Sequence, residues 1–326
     1  MHDEPSADAP PHGCTWGRYV ALLIDAHGGA AALVDRLIRR ADEAVGLPED
    51  PQSIERGLRR LATRGNAPGG QYGRWLLRFF GVPSALVETA RWMGQYHGRF
   101  ADLPAPLCES QLWLWDRPPI AESRATAWIH LGLAAVAMRR RDRDAAAHRL
   151  RLAQAGAAAA GPEAEVEAAL LAARIASDAA RRDEVGAWLD RAAAQLAAIE
   201  SDEARAPYTA RVLDQRAYAL LHPEGAAAPA LAEARALYAA IPEVGAPFVR
   251  FRRAHGLAYC AWRMGDTAAA LTLARDACTH AGDGGLIRFR IMALDLLAHI
   301  DPTPAGDEAR RRARSLAATI AHEDLL

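Results

Sequence analysis

Apolar and small side chains recur along most of this chain at the three- and four-residue spacing of a helix, and the pattern breaks at Gly and Pro. Trp16 to Ala26 reads as a first helix, broken by Gly28-Gly29, and Ala30 to Val45 as a second. Pro48 and Pro51 mark the next boundary, with Asp50 placed to cap a helix that starts at Pro51. That third helix carries Ile54, Leu58 and Leu61 on one face. A glycine-rich turn, Gly65 to Gly70, leads to a fourth helix, Gln71 to Phe80; Pro83 and Ser84 open a fifth that reaches about Arg99. Gly69, Gly70 and Gly73 follow no strand, so they read as an interhelical turn and not as a phosphate loop. Nowhere do β-rich alternating runs follow one another between turn residues, so the expected class is all-α.

The expected organisation has four parts. Residues 1–14 are polar, rich in Pro and without periodicity, which reads as a disordered tail. Residues 15–102 form a small helical head. Residues 103–123, where Pro104, Pro106, Pro118 and Pro119 surround Trp113 and Trp115, read as a linker strapping the head to the remainder of the chain. From 124 to 326 the chain repeats itself. Leu133, Ala134, Ala137, Ala146, Leu150 and Ala153 are matched by Ala172, Ala173, Ala176, Val185, Leu189 and Ala192. The same offsets give Leu257, Ala258, Ala261, Ala270, Ala274 and Ala277, then Leu296, Leu297, Ile300, Ala309, Ala313 and Leu316. A degenerate unit between them holds Ala217, Tyr218, Leu221, Ala230, Ala234 and Leu237.

These small-residue offsets resemble the tetratricopeptide-repeat family over residues 121–326. The resemblance implies a solenoid of about five helix pairs, with the first helix of each pair lining a concave groove that binds other proteins. Corresponding positions lie 39 to 45 residues apart in this chain, against about 34 in the family. The family's signature tryptophan is missing from its usual places, and Trp128 misses by two positions. Carried across, the groove positions are Arg139, Arg174, Arg216, Arg252 and Arg263, with His255, Tyr259 and Trp262 beside them. Such a surface suits an acidic or carboxylate-terminated peptide, with aromatic rings supplying apolar area. The Lys and Asn of the family's carboxylate clamp have no counterpart here.

Composition narrows the chemistry. Of 326 residues 51% are hydrophobic and 24% charged, which fits a folded chain, and the formal net charge of −1 offers no overall field for nucleic acid or anionic lipid. The sequence contains no lysine: all 39 of its basic side chains other than His are Arg. Schiff-base catalysis and a P-loop lysine are thereby excluded. Cys14, Cys108, Cys260 and Cys278 form no C-x-x-C pair, and Cys14 follows a polar stretch and not an apolar signal segment. With no run apolar enough for a membrane span, the expected location is the cytoplasm.

Zinc-protease, nucleophile-elbow and Walker motifs are all missing, and His255 and His280 have no third ligand type at metal spacing. The expectation is a non-enzymatic binding protein without metal or cofactor. A second candidate surface lies in the head, where residues 51–100 carry eight Arg against Glu55 and Glu88. Arg56, Arg59, Arg60 and Arg64 project opposite the apolar face of the third helix, and Arg74 and Arg78 stand one turn apart on the next. A helical head with an Arg-lined helix before a helical-repeat sensor resembles, in outline, bacterial regulators with a helix-turn-helix, which makes DNA the alternative partner. The connection Gly46 to Asp50 is longer than the usual turn of that motif.

Overall fold

The computed structural model describes residues 13–41, 46–47, 50–64, 68–222 and 228–320. Most of the stretch expected to be a disordered tail, residues 1–12, lies outside them, as do residues 42–45 at the end of the expected second helix. The described residues form sixteen α-helices and no strand, so the chain is all-α. No described helix is long and apolar enough to cross a membrane.

The stretch expected to be the head contains α1 (Trp16–Ala26), α2 (Ala30–Arg40), α3 (Pro51–Thr63), α4 (Gly70–Phe80) and α5 (Ser84–Gly94). Thr15 caps α1 by accepting the Arg18 amide, and Asp50 caps α3 by accepting the Gln52 amide ahead of Pro51, as its sequence position suggests. Gly69 and Gly73 make room for Trp16: a methyl at either would run into its indole. Two helices stop earlier than the hydrophobic pattern suggests. The chain turns extended at Ala41 after α2, and at Gln95 after α5. Residues 95–98 are then non-helical, and a 3₁₀ turn comes next at Arg99–Asp102. The Pro-rich stretch 103–123 contains a further helix, α6 (Ala105–Trp115), and a 3₁₀ turn at Ile120–Glu122.

Ten helices complete the described chain: α7 (Thr126–Arg139), α8 (Arg143–Ala160), α9 (Pro162–Asp178), α10 (Arg182–Leu196) and α11 (Asp202–Leu221), then α12 (Leu231–Ala239), α13 (Pro247–Arg263), α14 (Thr267–Asp283), α15 (Ile287–Ile300) and α16 (Pro304–Thr319). Each packs on its neighbours in chain order, and each odd-numbered helix from α7 to α13 also touches the next odd-numbered one. One turn recurs inside three pairs. Arg141, Ala180 and Gly265 take left-handed φ values of 58°, 57° and 86°. The next amides along, of Asp142, Arg181 and Asp266, donate to the carbonyls of Ala137, Ala176 and Ala261. This is the backbone closure of a Schellman motif. Ala137, Ala176 and Ala261 are also equivalent positions in the sequence repeat, so the repeat pattern and the backbone geometry share a period.

Small residues sit where helices approach closely. Ala134, Ala146, Ala173, Ala192, Ala258, Ala270 and Ala274 are fully buried. In the degenerate unit Tyr238 is buried against Gly256 of α13, where a methyl would collide with its ring. The head is not set apart by a gap: a single apolar core runs from Cys14 through Leu76, Met93, Leu112 and Trp128 to Ile175. At its centre Gly94 lets α5 lie against the α7 backbone, since a methyl there would collide with the Trp128 carbonyl oxygen.

Candidate functional site

The end of α5 delivers the chain to the odd-numbered helices α7 to α15, which touch one another in succession and are called the inner helices below. Gln95–Leu103 leaves α5 as four irregular residues followed by the 3₁₀ turn Arg99–Asp102, and all five odd-numbered helices from α7 to α15 reach it. From α7, Arg139 Nη1 donates to the carbonyls of Ala101 and Leu103, both at 3.1 Å. Gln95 Nε2 donates to Glu163 of α9 at 3.5 Å and to the Tyr208 hydroxyl of α11 at 3.1 Å. The His97 ring stands edge-on to Tyr208 and tilts against Phe248 of α13. At the start of α15, the amides of Ile287 and Arg288 donate to Asp102 at 3.0 and 3.2 Å. That places a carboxylate at a helix N-terminus, where the backbone dipole favours it.

Tyr96 is the hub. Its ring lies under the guanidinium groups of Arg211 (4.7 Å), Arg288 (5.0 Å) and Arg252 (5.7 Å) and meets Phe289 edge-on. Arg252 Nη2 donates to its hydroxyl at 3.0 Å, and Arg288 Nη2 to its carbonyl at 2.7 Å. All three arginines are buried, and each has a carboxylate partner. Arg211 pairs with Glu167 through two bonds of 2.6 and 2.8 Å, Arg252 with Asp214 at 3.2 Å, and Arg288 with Asp102 at 2.8 Å. Three cations thus face three anions, which is how buried charge is tolerated. Burial alone pushes the Tyr96 phenol up, but Arg252, Arg288 and Arg211 outweigh it and hold the group below its usual range. Burial, reinforced by Arg211, Arg91 and Arg288, drives the His97 imidazole down to about 3. Three side-chain nitrogens in and around the segment, His97 Nδ1, Arg139 Nε and Arg252 Nε, are buried with no hydrogen-bond partner among the described residues.

The groove positions expected from the repeat do not form one open row. Arg139 and Arg252 are engaged with the chain's own segment. Arg174 is exposed and pairs with Asp178 on its own helix, and Arg216 reaches Asp190 of α10. His255 packs on Phe251, and burial with Arg252 beside it, against the opposing pull of Asp214, lowers its imidazole to about 4. Tyr259, Trp262 and Arg263 do come together, at the far end of α13. There the Tyr259 and Trp262 rings lie edge to face at 5.8 Å, and Arg263 Nη1 donates to the Tyr259 hydroxyl at 2.7 Å. The end of α11 extends this group. Tyr218, 45% exposed, stacks on His222 at 4.1 Å, and His222 lies 6.5 Å from Tyr259. Met264, the residue after Arg263, is also exposed.

In the head, Arg56 is 73% exposed beside Asp50 at 3.6 Å, and Arg59 is held by Glu55 one turn earlier at 2.7 Å. Arg60, Arg64 and Arg74 are exposed with no acidic partner among the described residues, while Arg78 lies over the Phe79 ring. Among the described residues no group of three or more His, Cys, Asp or Glu is placed to hold a metal ion.

Sequence reasoning missed Tyr96, Asp102, Arg211 and Arg288, and with them the segment that joins head to inner helices. A run continuing α5 to Arg99 hides it, because Gln95–Arg99 contains no Pro and its single glycine, Gly98, is tolerable in a helix. Tyr218 was found only as a degenerate repeat position, and His222 not at all. No family model, no curated protein and no solved structure matches this chain.

Proposed function

We propose that this chain is a non-enzymatic protein- or peptide-binding module, built as a small helical head followed by a tetratricopeptide-like solenoid of five helix pairs. What supports the solenoid is the shared period of buried alanines and Schellman turns in α7 to α16. The observation that carries the binding reading is the ledge of Tyr218, His222, Tyr259 and Trp262, edged by Arg263. Rings in contact with one another, Tyr218 and His222 exposed and Tyr259 and Trp262 half-buried, beside a cation hydrogen-bonded to a phenol, form a surface with apolar area and an anion-seeking edge. Its partner is an acidic or carboxylate-terminated segment that lays an apolar side chain on the rings. Capture of partners from the native host on the immobilised chain, followed by calorimetry, tests it. Trp262→Ala is expected to weaken binding by about 1–3 kcal/mol and Arg263→Ala by about 1.5 kcal/mol. A partner that binds both variants like the wild type removes the ledge from the reading.

The exposed Arg60, Arg64 and Arg74, with no acidic partner among the described residues, favour a second reading, in which the head binds duplex DNA and the solenoid senses the partner. Guanidinium groups without an acid beside them are free to neutralise phosphates. Retention of the chain by duplex DNA, falling steeply with salt and abolished by Arg56, Arg60 and Arg64 reversed to Glu, is the expected outcome. No retention at low salt ends this reading.

A further inference from the structure

The inner face of α7 to α15 treats Gln95–Leu103 as a receptor treats a peptide. The segment is irregular at residues 95–98 and continues in the short 3₁₀ turn Arg99–Asp102. It is held by one side chain or backbone group at a time from five different helices. Three features anchor it: the phenol ring of Tyr96 among three arginines, the Phe100 ring buried in the apolar core against Trp92, and the Asp102 carboxylate, six positions after Tyr96, on the first amides of α15. Between them Gly98 and Arg99 make no such anchor, and Gln95 to Gly98 keep part of their surface open to solvent. The fit is also incomplete. Two of the five buried side-chain nitrogens that lack a partner among the described residues, Arg139 Nε and Arg252 Nε, belong to the helices that hold this segment, and a third, His97 Nδ1, belongs to the segment itself. A buried donor left unmade is costly, so an occupant with acceptors at the two arginine nitrogens satisfies the site better than the chain's own segment does.

We propose that this groove is a peptide receptor closed in cis. Gln95–Leu103 is its internal ligand, and the external partner it fits is an extended peptide carrying a phenol and, six positions on, a carboxylate. The proposal rests on the binding-module reading but on a different surface from the ledge. It also gives the module an output. The segment continues α5, which Gly94 seats directly on α7, so displacing the segment loosens the head from the inner helices.

Two measurements on the full chain decide it. The first is native-state hydrogen exchange of the wild type. If the segment opens by itself, the Ile287 and Arg288 amides held by Asp102 exchange through a local opening, at a lower free energy than the buried amides of α13. If they exchange only with global unfolding, the segment is permanent core and the proposal fails. The second is anisotropy with a fluorescent peptide of the sequence of residues 95–103. Asp102→Asn removes charge from the internal ligand while leaving its shape, and is expected to bind that peptide at least about tenfold more tightly than the wild type. Tyr96→Phe, which loses only the hydroxyl, is the second variant should the first fail to fold, and is expected to shift affinity the same way. Peptides with the tyrosine changed to alanine or the aspartate to asparagine are expected to bind about tenfold more weakly. A folded variant that binds the peptide no better than the wild type, or that ignores both changes in the peptide, overturns the proposal. Loss of a captured partner on Trp262→Ala, with both of these tests negative, leaves the ledge reading standing and removes only this one.

Discussion

Arg211 on the inner face and Arg56 on α3 are the same residue in a chain that has no other strong cation, yet they live under opposite electrostatics. Arg211 is buried, bonded twice to Glu167 and set against the Tyr96 and Tyr208 rings. Arg56 stands in solvent with Asp50 at 3.6 Å. Inside, a charge that loses its partner has no water to turn to, so pairing there is obligatory and geometry is narrow. On α3 the solvent screens the pair, which contributes little, and the guanidinium remains available to an outside anion. Arginine count is therefore a poor guide to a binding surface in this protein, and burial is the better one.

The largest expected effect tests that contrast directly. Arg211→Ala leaves Glu167 buried and unpaired and is expected to cost about 3–5 kcal/mol in denaturant unfolding, whereas Arg56→Ala changes stability by less than about 0.5 kcal/mol. Equal effects would erase the distinction. Next comes packing without charge. Ala258, fully buried where α13 meets α14, is expected to lose about 1–3 kcal/mol on change to Leu by overpacking. An unchanged melting midpoint would place α14 in a different register.

Acid sharpens the comparison further, because the inner face contains imidazoles that burial first, and the neighbouring arginines second, keep neutral. His97 sits near 3 and His255 near 4 in the folded chain, below the value of about 6.5 for an unfolded histidine. Between those values the unfolded state binds more protons than the folded one. Stability is therefore full above pH 6.5 and falls as pH drops from there towards 4 and 3. The expected loss between pH 6.5 and 4 is about 1–2 kcal/mol, after discounting for partial exposure, and a His97→Leu chain is expected to show a shallower slope by thermal melting. The smallest effect is local. Ala180 holds a left-handed φ of 57° where its counterpart Gly265 is glycine, so Ala180→Gly is expected to raise stability by about 0.5–1 kcal/mol. A decrease would mean that unfolded-state entropy outweighs the relieved strain at this turn.

Much of the all-helical skeleton was legible in the residues. Helix starts at Trp16, Pro51 and Ser84 derive from caps and prolines, whose action is local. Alanine at recurring offsets announced close helix contacts, because a small side chain is the only way two backbones approach. The candidate site was legible only in part. Tyr259, Trp262 and Arg263 share one helix end, so helical spacing was enough to group them.

The sequence by itself determined where helices begin, which faces carry small residues, and that every strong cation is arginine. Only the tertiary structure decided which arginines are buried, that α5 ends at Gly94, and that Tyr96 and Asp102 reach α11, α13 and α15. Arg211 and Arg288 lie more than a hundred residues beyond Tyr96, and no local propensity records such a meeting. Caps and periodicity depend on neighbours a few residues away, whereas the desolvation that turns an arginine from a surface charge into a structural one depends on whatever the folded chain packs around it.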